Sequence, residues 1–119
     1  MADQRVLKIE VRERAVVGVV QCTEFDHANT AKLKEEVTQA AAEHPALPFL
    51  LELSKVESMP SVALGALLEL AGDFKVGGRR MVLVGLAPAI LKIMEMTAIQ
   101  NLFEIQESVD DALKYRFGV

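Results

Sequence analysis

Apolar and polar residues alternate at the start of the chain: Leu7, Ile9 and Val11 are separated by Lys8, Glu10 and Arg12. A period of two belongs to a strand with one face on a core and the other in water. Arg12-Glu13-Arg14 reads as a turn, and the valine-rich run Ala15 to Val20, with Gly18 inside it, as a second strand. The opening is therefore predicted to be a hairpin. From Cys22 to Asn29 the character is polar, and Asp26 or Asn29 would cap the helix that follows. Leu33, Val37, Ala40 and Ala41 recur at helical spacing, with Lys32, Lys34, Glu35 and Glu36 on the outer face. His44-Pro45 ends that helix, because the residue before a proline is pushed out of the α region.

The period then changes. Phe49-Leu50-Leu51-Glu52-Leu53 is short and almost wholly apolar, the pattern of a central parallel strand covered on both faces. Pro60 fits the first turn of the next helix, where its missing N–H costs nothing. Leu64, Leu67, Leu68, Ala71 and Phe74 form that helix's apolar stripe, and Gly77-Gly78 its stop, with a positive φ. Met81-Val82-Leu83-Val84 is a second buried strand, and Pro88 opens a short helix carrying Ile90, Leu91, Ile93 and Met94. Leu102-Phe103-Glu104-Ile105 predicts a last short strand. Ser108-Val109-Asp110-Asp111 resembles a capping box before a terminal helix through Tyr115. The order β-β-α-β-α-β-α-(β)-α predicts an α/β fold: a mixed, mostly parallel sheet of about four or five strands with about four helices. No linker or repeat interrupts it, so residues 1–119 are expected to form a single domain.

Composition narrows the function classes. With 51% hydrophobic residues, the 119-residue chain can bury a core without disulfides or metal. The 13 Lys and Arg against 17 Asp and Glu give a net charge of −4, which argues against nucleic acid and against anionic membrane surfaces. Cys22 is the single cysteine, so an internal disulfide and a cysteine-based zinc site are excluded. The first fifteen residues hold charges rather than an apolar signal core, and no apolar run approaches the roughly 20 residues that span a bilayer. A reduced, cytoplasmic protein without membrane insertion is expected.

Catalytic patterns are missing from the sequence. His27 and His44 are too few for a histidine zinc site, no H-E-x-x-H or G-x-S-x-G spacing occurs, and Gly77-Gly78 lacks the Lys-Ser/Thr of a P-loop. No enzyme activity and no cofactor are expected. Cys22 reads either as a reactive thiol or as a small buried hydrophobe. Glu52 is costly inside a buried strand unless it is paired or close to the strand end. It is therefore expected either to bond a neighbouring loop there or to serve as a ligand group. In open parallel sheets that end is where ligands and partners bind. This directs attention to Phe25-Asp26-His27, Ser54 to Ser61 and Gly85 to Pro88, which all follow strands.

The segment FLLELSKVESMPSVALGALLEL, Phe49 to Leu70, resembles the central signature of the STAS domain, the fold of bacterial anti-sigma-factor antagonists. In that family a buried strand leads to an Asp-Ser-Ser/Thr-Gly-Leu-Gly motif at a helix N-terminus. Leu51-Glu52-Leu53 fits the strand end and Leu64-Gly65 the close of the motif. The resemblance extends to Glu24-Phe25-Asp26-His27, to Arg79 through Val84, to Met94 through Ile99, and to Leu102-Phe103 with Ser108 to Leu113. Aligned on Leu64-Gly65, Pro60 stands at the family's Asp, Ser61 at the first hydroxyl, Val62 at the second, and Ala63 at the Gly. The resemblance implies Ser61 as the phosphoacceptor candidate, although a serine in a first helical turn is also an ordinary start signal. Asp26 likewise fits both a helix cap and the family's partner or nucleotide surface.

The family implies a non-enzymatic, protein-binding regulator that docks a kinase-like anti-sigma factor or switch protein. Its partner-binding residues would be Phe25, Asp26, His27, Asn29, Ser58, Met59, Ser61 and Gly65. If solvent-facing, some of Met59, Pro60, Val62, Ala63 and Leu64 would add an apolar contact patch; the alternative for Val62 and, by preference, Leu64 is burial in the helix–sheet core. The alternative is an accessory subunit stabilising an ATPase of a lipid-transport ABC system, which needs no phosphorylation. A nucleotide sensor is the third possibility, but Arg79-Arg80 precedes a strand and supplies no phosphate cradle at the loop.

Overall fold

The structure, a computed structural model, describes residues 5–114. Strands β1 (Leu7–Val11) and β2 (Val16–Val20) form the expected antiparallel hairpin. Its turn is closed by a hydrogen bond from Arg12 N to Ala15 O of 2.8 Å. Helix α1 (His27–Glu43) leads to β3 (Phe49–Glu52), α2 (Ser61–Val76) to β4 (Met81–Val84), and α3 (Pro88–Met96) to β5 (Glu104–Gln106). Helix α4 (Val109–Lys114) follows, and Tyr115, expected in that helix, lies outside the described residues. The five strands lie side by side in chain order, with β2 through β5 parallel. The sheet is thus mixed and mostly parallel, with four α-helices.

Strand order in chain order has a consequence. Each parallel crossover moves one place in the same direction, and right-handed crossovers then put α1, α2 and α3 on one face. The packing agrees. Leu33 and Val37 of α1, Leu67 and Phe74 of α2, and Ile90 and Met94 of α3 form one core with Val16, Phe49, Leu51 and Leu83. The other face, Val17, Leu50, Val82 and Val84, is buried against Ala112 of α4, with Val109 and Leu113 alongside. Covering both faces is what makes β3 and β4 read as continuous apolar runs.

Local signals act as the sequence predicts at several ends. Asp26 and Asn29 share the α1 cap: Asp26 Oδ1 accepts from Asn29 N at 2.8 Å, and Asn29 Oδ1 accepts from Asp26 N at 2.7 Å. His44 ends α1, and Gly77 with Gly78 ends α2, Gly78 at φ +69°. Ser108 Oγ accepts from Asp111 N at 3.0 Å at the start of α4. The last strand begins later than its pattern suggests. Leu102 closes a 3-10 turn (Ile99–Leu102) and Phe103 only leads into β5, so the expected Leu102-Phe103 start is corrected to Glu104.

One ring organises the end of the sheet where β3 begins. Phe49, fully buried, meets Phe74 edge-on with centroids 5.9 Å apart. A Cβ at Gly18 would lie 3.0 Å from the Phe49 ring, so the neighbouring strand leaves its side chain out. The Arg79 guanidinium stands 5.1 Å from the Phe74 centroid. It donates to Ala41 O at 2.8 Å and His44 O at 2.9 Å, and also to Leu47 O. One side chain therefore adds second donors to carbonyls at the end of α1, where Ala41 O and His44 O also accept from His44 N and Leu47 N.

Outcomes at three positions follow for urea unfolding. Gly18→Ala should lower stability by about 1–3 kcal/mol, since the Phe49 ring has nowhere to move. Gly72→Ala should raise it by about 0.5–1 kcal/mol, because that helical position is exposed and open. Arg79→Ala should lose about 2 kcal/mol, and Arg79→Lys should recover little of it, because one ammonium does not reach three carbonyls. A stable Gly18→Ala protein, or equal behaviour of Arg79→Lys and wild type, would contradict this packing.

Candidate functional site

The parallel strands β2, β3 and β4 end on the same side of the molecule, and the loops that leave them meet there. The β2–α1 and β3–α2 loops are bonded to each other: Glu57 N donates to Thr23 O at 2.8 Å, and Lys55 Nζ to Gln21 Oε1 at 3.1 Å. Below them, Phe25, Val56 and Met59 are buried in the helix-side core and pin the loops down. Phe25 is 7% exposed and Met59 8%. These two residues, expected at a contact surface, lie beneath it. Ala63 is also buried, and Val62 and Leu64 are partly covered, so the loop's apolar residues largely turn inward. The sequence carried a sign of this, since Val56 and Met59 are spaced by three among polar neighbours.

Glu52 is the last residue of β3, as its cost in a buried strand requires. Its Oε1 accepts from Ser54 Oγ at 2.9 Å and from Ser54 N at 3.2 Å, bracing the first turn of the loop. Its Oε2 faces Gly85, where a Cβ would come within 3.0 Å. Gly85 also has φ +74°, a conformation that glycine adopts without strain. The carboxylate thus sits between the loops that follow β3 and β4. Sequence reading pointed to both loops, yet not to the contact between Glu52 and Gly85, or to the Lys55–Gln21 bridge.

The exposed surface at this end carries Asp26 and His27 at the start of α1, and Ser58 and Pro60 of the β3–α2 loop with Ser61 and Gly65 of α2. Asn29 is half-buried, with its amide Nδ2 donating to Glu24 O at 2.9 Å. Asp26 therefore has the capping role, while its exposure leaves it reachable. Ser61 is the first residue of α2, after Pro60 as N-cap at φ −69° and ψ 167°. That cap has no side-chain hydrogen bond, and no acidic residue stands in the first turn. The positive end of the α2 dipole is unopposed there.

Catalytic chemistry finds little support in these side chains. Cys22 is half-buried, and burial, with the charge of Asp26 added, pushes its thiol pKa up and so away from the reactive thiolate. Among the described residues, no three His, Cys, Asp or Glu side chains are grouped to hold a metal ion. No helix of the described residues is long and apolar enough to cross a membrane. What the site offers is a surface: two tied loops, a helix start and accessible hydroxyls.

The family model of the STAS domain matches residues 8–112. An anti-sigma-factor antagonist (STAS) domain protein from Planctomyces limnophilus superposes with a TM-score of 0.80 at 13% identity, covering 94% of this chain and 98% of that one. RsbS from Moorella thermoacetica gives 0.75 at 18% identity, with 91% and 92% covered. The Bacillus cell fate determinant SpoIIAA in its phosphorylated form gives 0.66 at 16% identity, with 91% and 96% covered. At such identities the likeness is one of fold. The family match spans the hairpin, the crossovers and the loop before α2: this chain belongs to the STAS domain family.

Proposed function

We propose that this protein is a regulator of the anti-sigma-factor-antagonist kind, working in the cytoplasm by docking a protein rather than by catalysis, without a cofactor. Its partner is a kinase-like anti-sigma factor or a related switch protein. The contact runs through Phe25 to Asn29 and Ser58 to Gly65. Asp26, His27, Ser58, Ser61 and Gly65 meet the partner, Asn29 holds the cap, and Phe25 and Met59 support the loops from below. Acidic net charge favours encounter with a basic partner surface.

The observation that carries this reading is the exposed Ser61 hydroxyl on the first residue of an uncapped helix. A phosphoryl group there adds about −1.5 to −2 charges. The helix start stabilises that charge, so the fold tolerates it while the docking surface gains negative charge and bulk. Solved relatives described as anti-sigma-factor antagonists, and one captured in a phosphorylated form, support the proposal.

The loop's departures favour a second reading. Pro60, Val62 and Ala63 replace the carboxylate, one hydroxyl and the glycine of the family motif. An accessory subunit that stabilises an ATPase of a lipid-transport ABC system would need none of them.

Affinity capture from lysate of cells that make the protein separates these readings. With wild-type bait, a kinase-like switch protein should be recovered, and Ser61→Asp should reduce it about tenfold or more, equivalent to about 1.4 kcal/mol. His27→Ala should weaken it in the same direction. A transport ATPase recovered equally by both baits would instead establish the accessory reading. A switch protein held equally by wild type and Ser61→Asp would refute the role given to Ser61. Gly85→Ala should also weaken capture, since its Cβ displaces Glu52 and the loop that Glu52 braces, and should cost about 1–3 kcal/mol of stability.

A further inference from the structure

Strand β1 is one edge of the sheet, so among the described residues one side of its backbone has no neighbouring strand. Its register with β2 decides which groups those are. Hydrogen bonds of 2.8 Å from Gln21 N to Val6 O and from Arg12 N to Ala15 O flank the hairpin, and bonded residues alternate along an antiparallel pair. Lys8 and Glu10 therefore bond to β2, while Leu7, Ile9 and Val11 turn their N–H and C=O groups to the open edge. Leu7 N is taken, donating to Glu36 Oε1 at 2.8 Å. An open depression of about 430 Å³ lies along the edge, lined by Arg5, Leu7, Lys8, Ile9 and Gln21. Val11, at the far end, is 53% exposed. Side chains alternate between the faces. Leu7, Ile9 and Val11 share the face that carries α1, and Lys8 and Glu10 share the opposite one, beside Val19 and Val17.

We propose that this edge pairs with β1 of a second copy, antiparallel about a twofold axis at Ile9, joining the two sheets into one. In a twofold strand pair the residue at the axis faces itself, and its neighbours face each other crosswise. Centred on Lys8, the pairing sets Lys8 against Lys8; centred on Glu10, it sets Glu10 against Glu10. Centred on Ile9, it sets Lys8 opposite Glu10 of the second copy and Glu10 opposite its Lys8. Residues directly opposite point to the same face, and these are non-hydrogen-bonded pairs, in which side chains come closest. Lys8 is exposed, and Glu10 uses Oε1 for Arg12 at 3.3 Å, which leaves its other oxygen for the lysine. The same register uses the edge groups. Ile9 N and O bond to Ile9 O and N of the second copy, Val11 N reaches the second copy's Leu7 O, and Glu36 keeps Leu7 N. On the α1 face Val11 falls opposite Leu7 of the second copy, which covers the exposed valine. Charged edge strands ordinarily resist pairing, but here alternating sign makes the strand complementary to itself in one register. A foreign strand with one sign of charge would leave Lys8 or Glu10 facing a like charge. The contact is one strand wide, at the low end of specific interfaces, so the dimer is weak. This inference does not rest on the Ser61 reading, since the β1 edge and the α2 start are separate surfaces.

Sedimentation equilibrium of the full chain tests it. Wild type should pass from monomer to dimer with a dissociation constant on the order of 10–100 μM. Lys8→Glu and Glu10→Lys should each weaken the dimer by about tenfold, and the double exchange Lys8→Glu/Glu10→Lys should restore it to about the wild-type value. Val11→Pro should weaken it by about tenfold or more, because it removes an N–H that faces the edge while the ladder to β2 stays intact. Unchanged far-ultraviolet circular dichroism would confirm folding of each variant. A chain monomeric up to about 1 mM, a mass that keeps rising past the dimer, or a dimer indifferent to these substitutions overturns the proposal. So does a monomeric chain whose capture of another protein fails with Val11→Pro, because a foreign strand then occupies the edge.

Discussion

The Phe49 ring at the start of the central strand depends on an empty place beside it. Without a Cβ at Gly18, the ring fits between β2 and Phe74, and Phe74 in turn supports the Arg79 guanidinium. From there the hydrogen bonds reach back to Ala41 and His44, so the ends of α1 and α2 and the beginning of β4 are fixed together. That arrangement holds one end of a rigid block. At the other end of the same strand, Glu52 braces Ser54 and faces Gly85, and the loops of the proposed docking surface leave from there. A four-residue strand thus connects the packing that sets stability with the proposed docking surface.

Much of this was legible in the order of residues. Period two gave the hairpin, continuous apolar runs gave β3 and β4, and Asp26, His44-Pro45 and Gly77-Gly78 gave helix ends, because each acts through local backbone chemistry. Glu52 was legible as a strand-end residue on cost alone. Tertiary packing decided the rest. Nothing local tells that Phe25 turns under its loop, or that Ile93 faces outward while Ile90 and Met94 face in. The beginning of β5 was misplaced because Leu102 and Phe103 have strand-like composition, while a 3-10 turn after Ala98 occupies that stretch. The resemblance to STAS domains supplied the functional reading, which residue patterns by themselves did not contain.

The fold of this family member is shared with distant relatives. Relatives at 13–18% identity keep the sheet and its crossovers, so the architecture tolerates extensive replacement. The loop before α2 has changed more pointedly: proline, valine and alanine surround a retained serine. Those substitutions keep the helix start intact, since Ala63 N and Leu64 N both donate to Pro60 O at 3.0 Å. The scaffold is therefore preserved, and in the proposed reading the recognition chemistry is what differs, since one fold can carry different tasks.

The central claim is that the partner sits on the loops at the C-terminal end of the parallel strands. Hydrogen–deuterium exchange of the chain, alone and bound to the partner recovered by affinity capture, tests it most directly. The account predicts slowed exchange within residues 21–29 and 54–65, with the sheet itself unchanged. Protection confined to other parts of the chain, with those two segments exchanging as in the free protein, would contradict it.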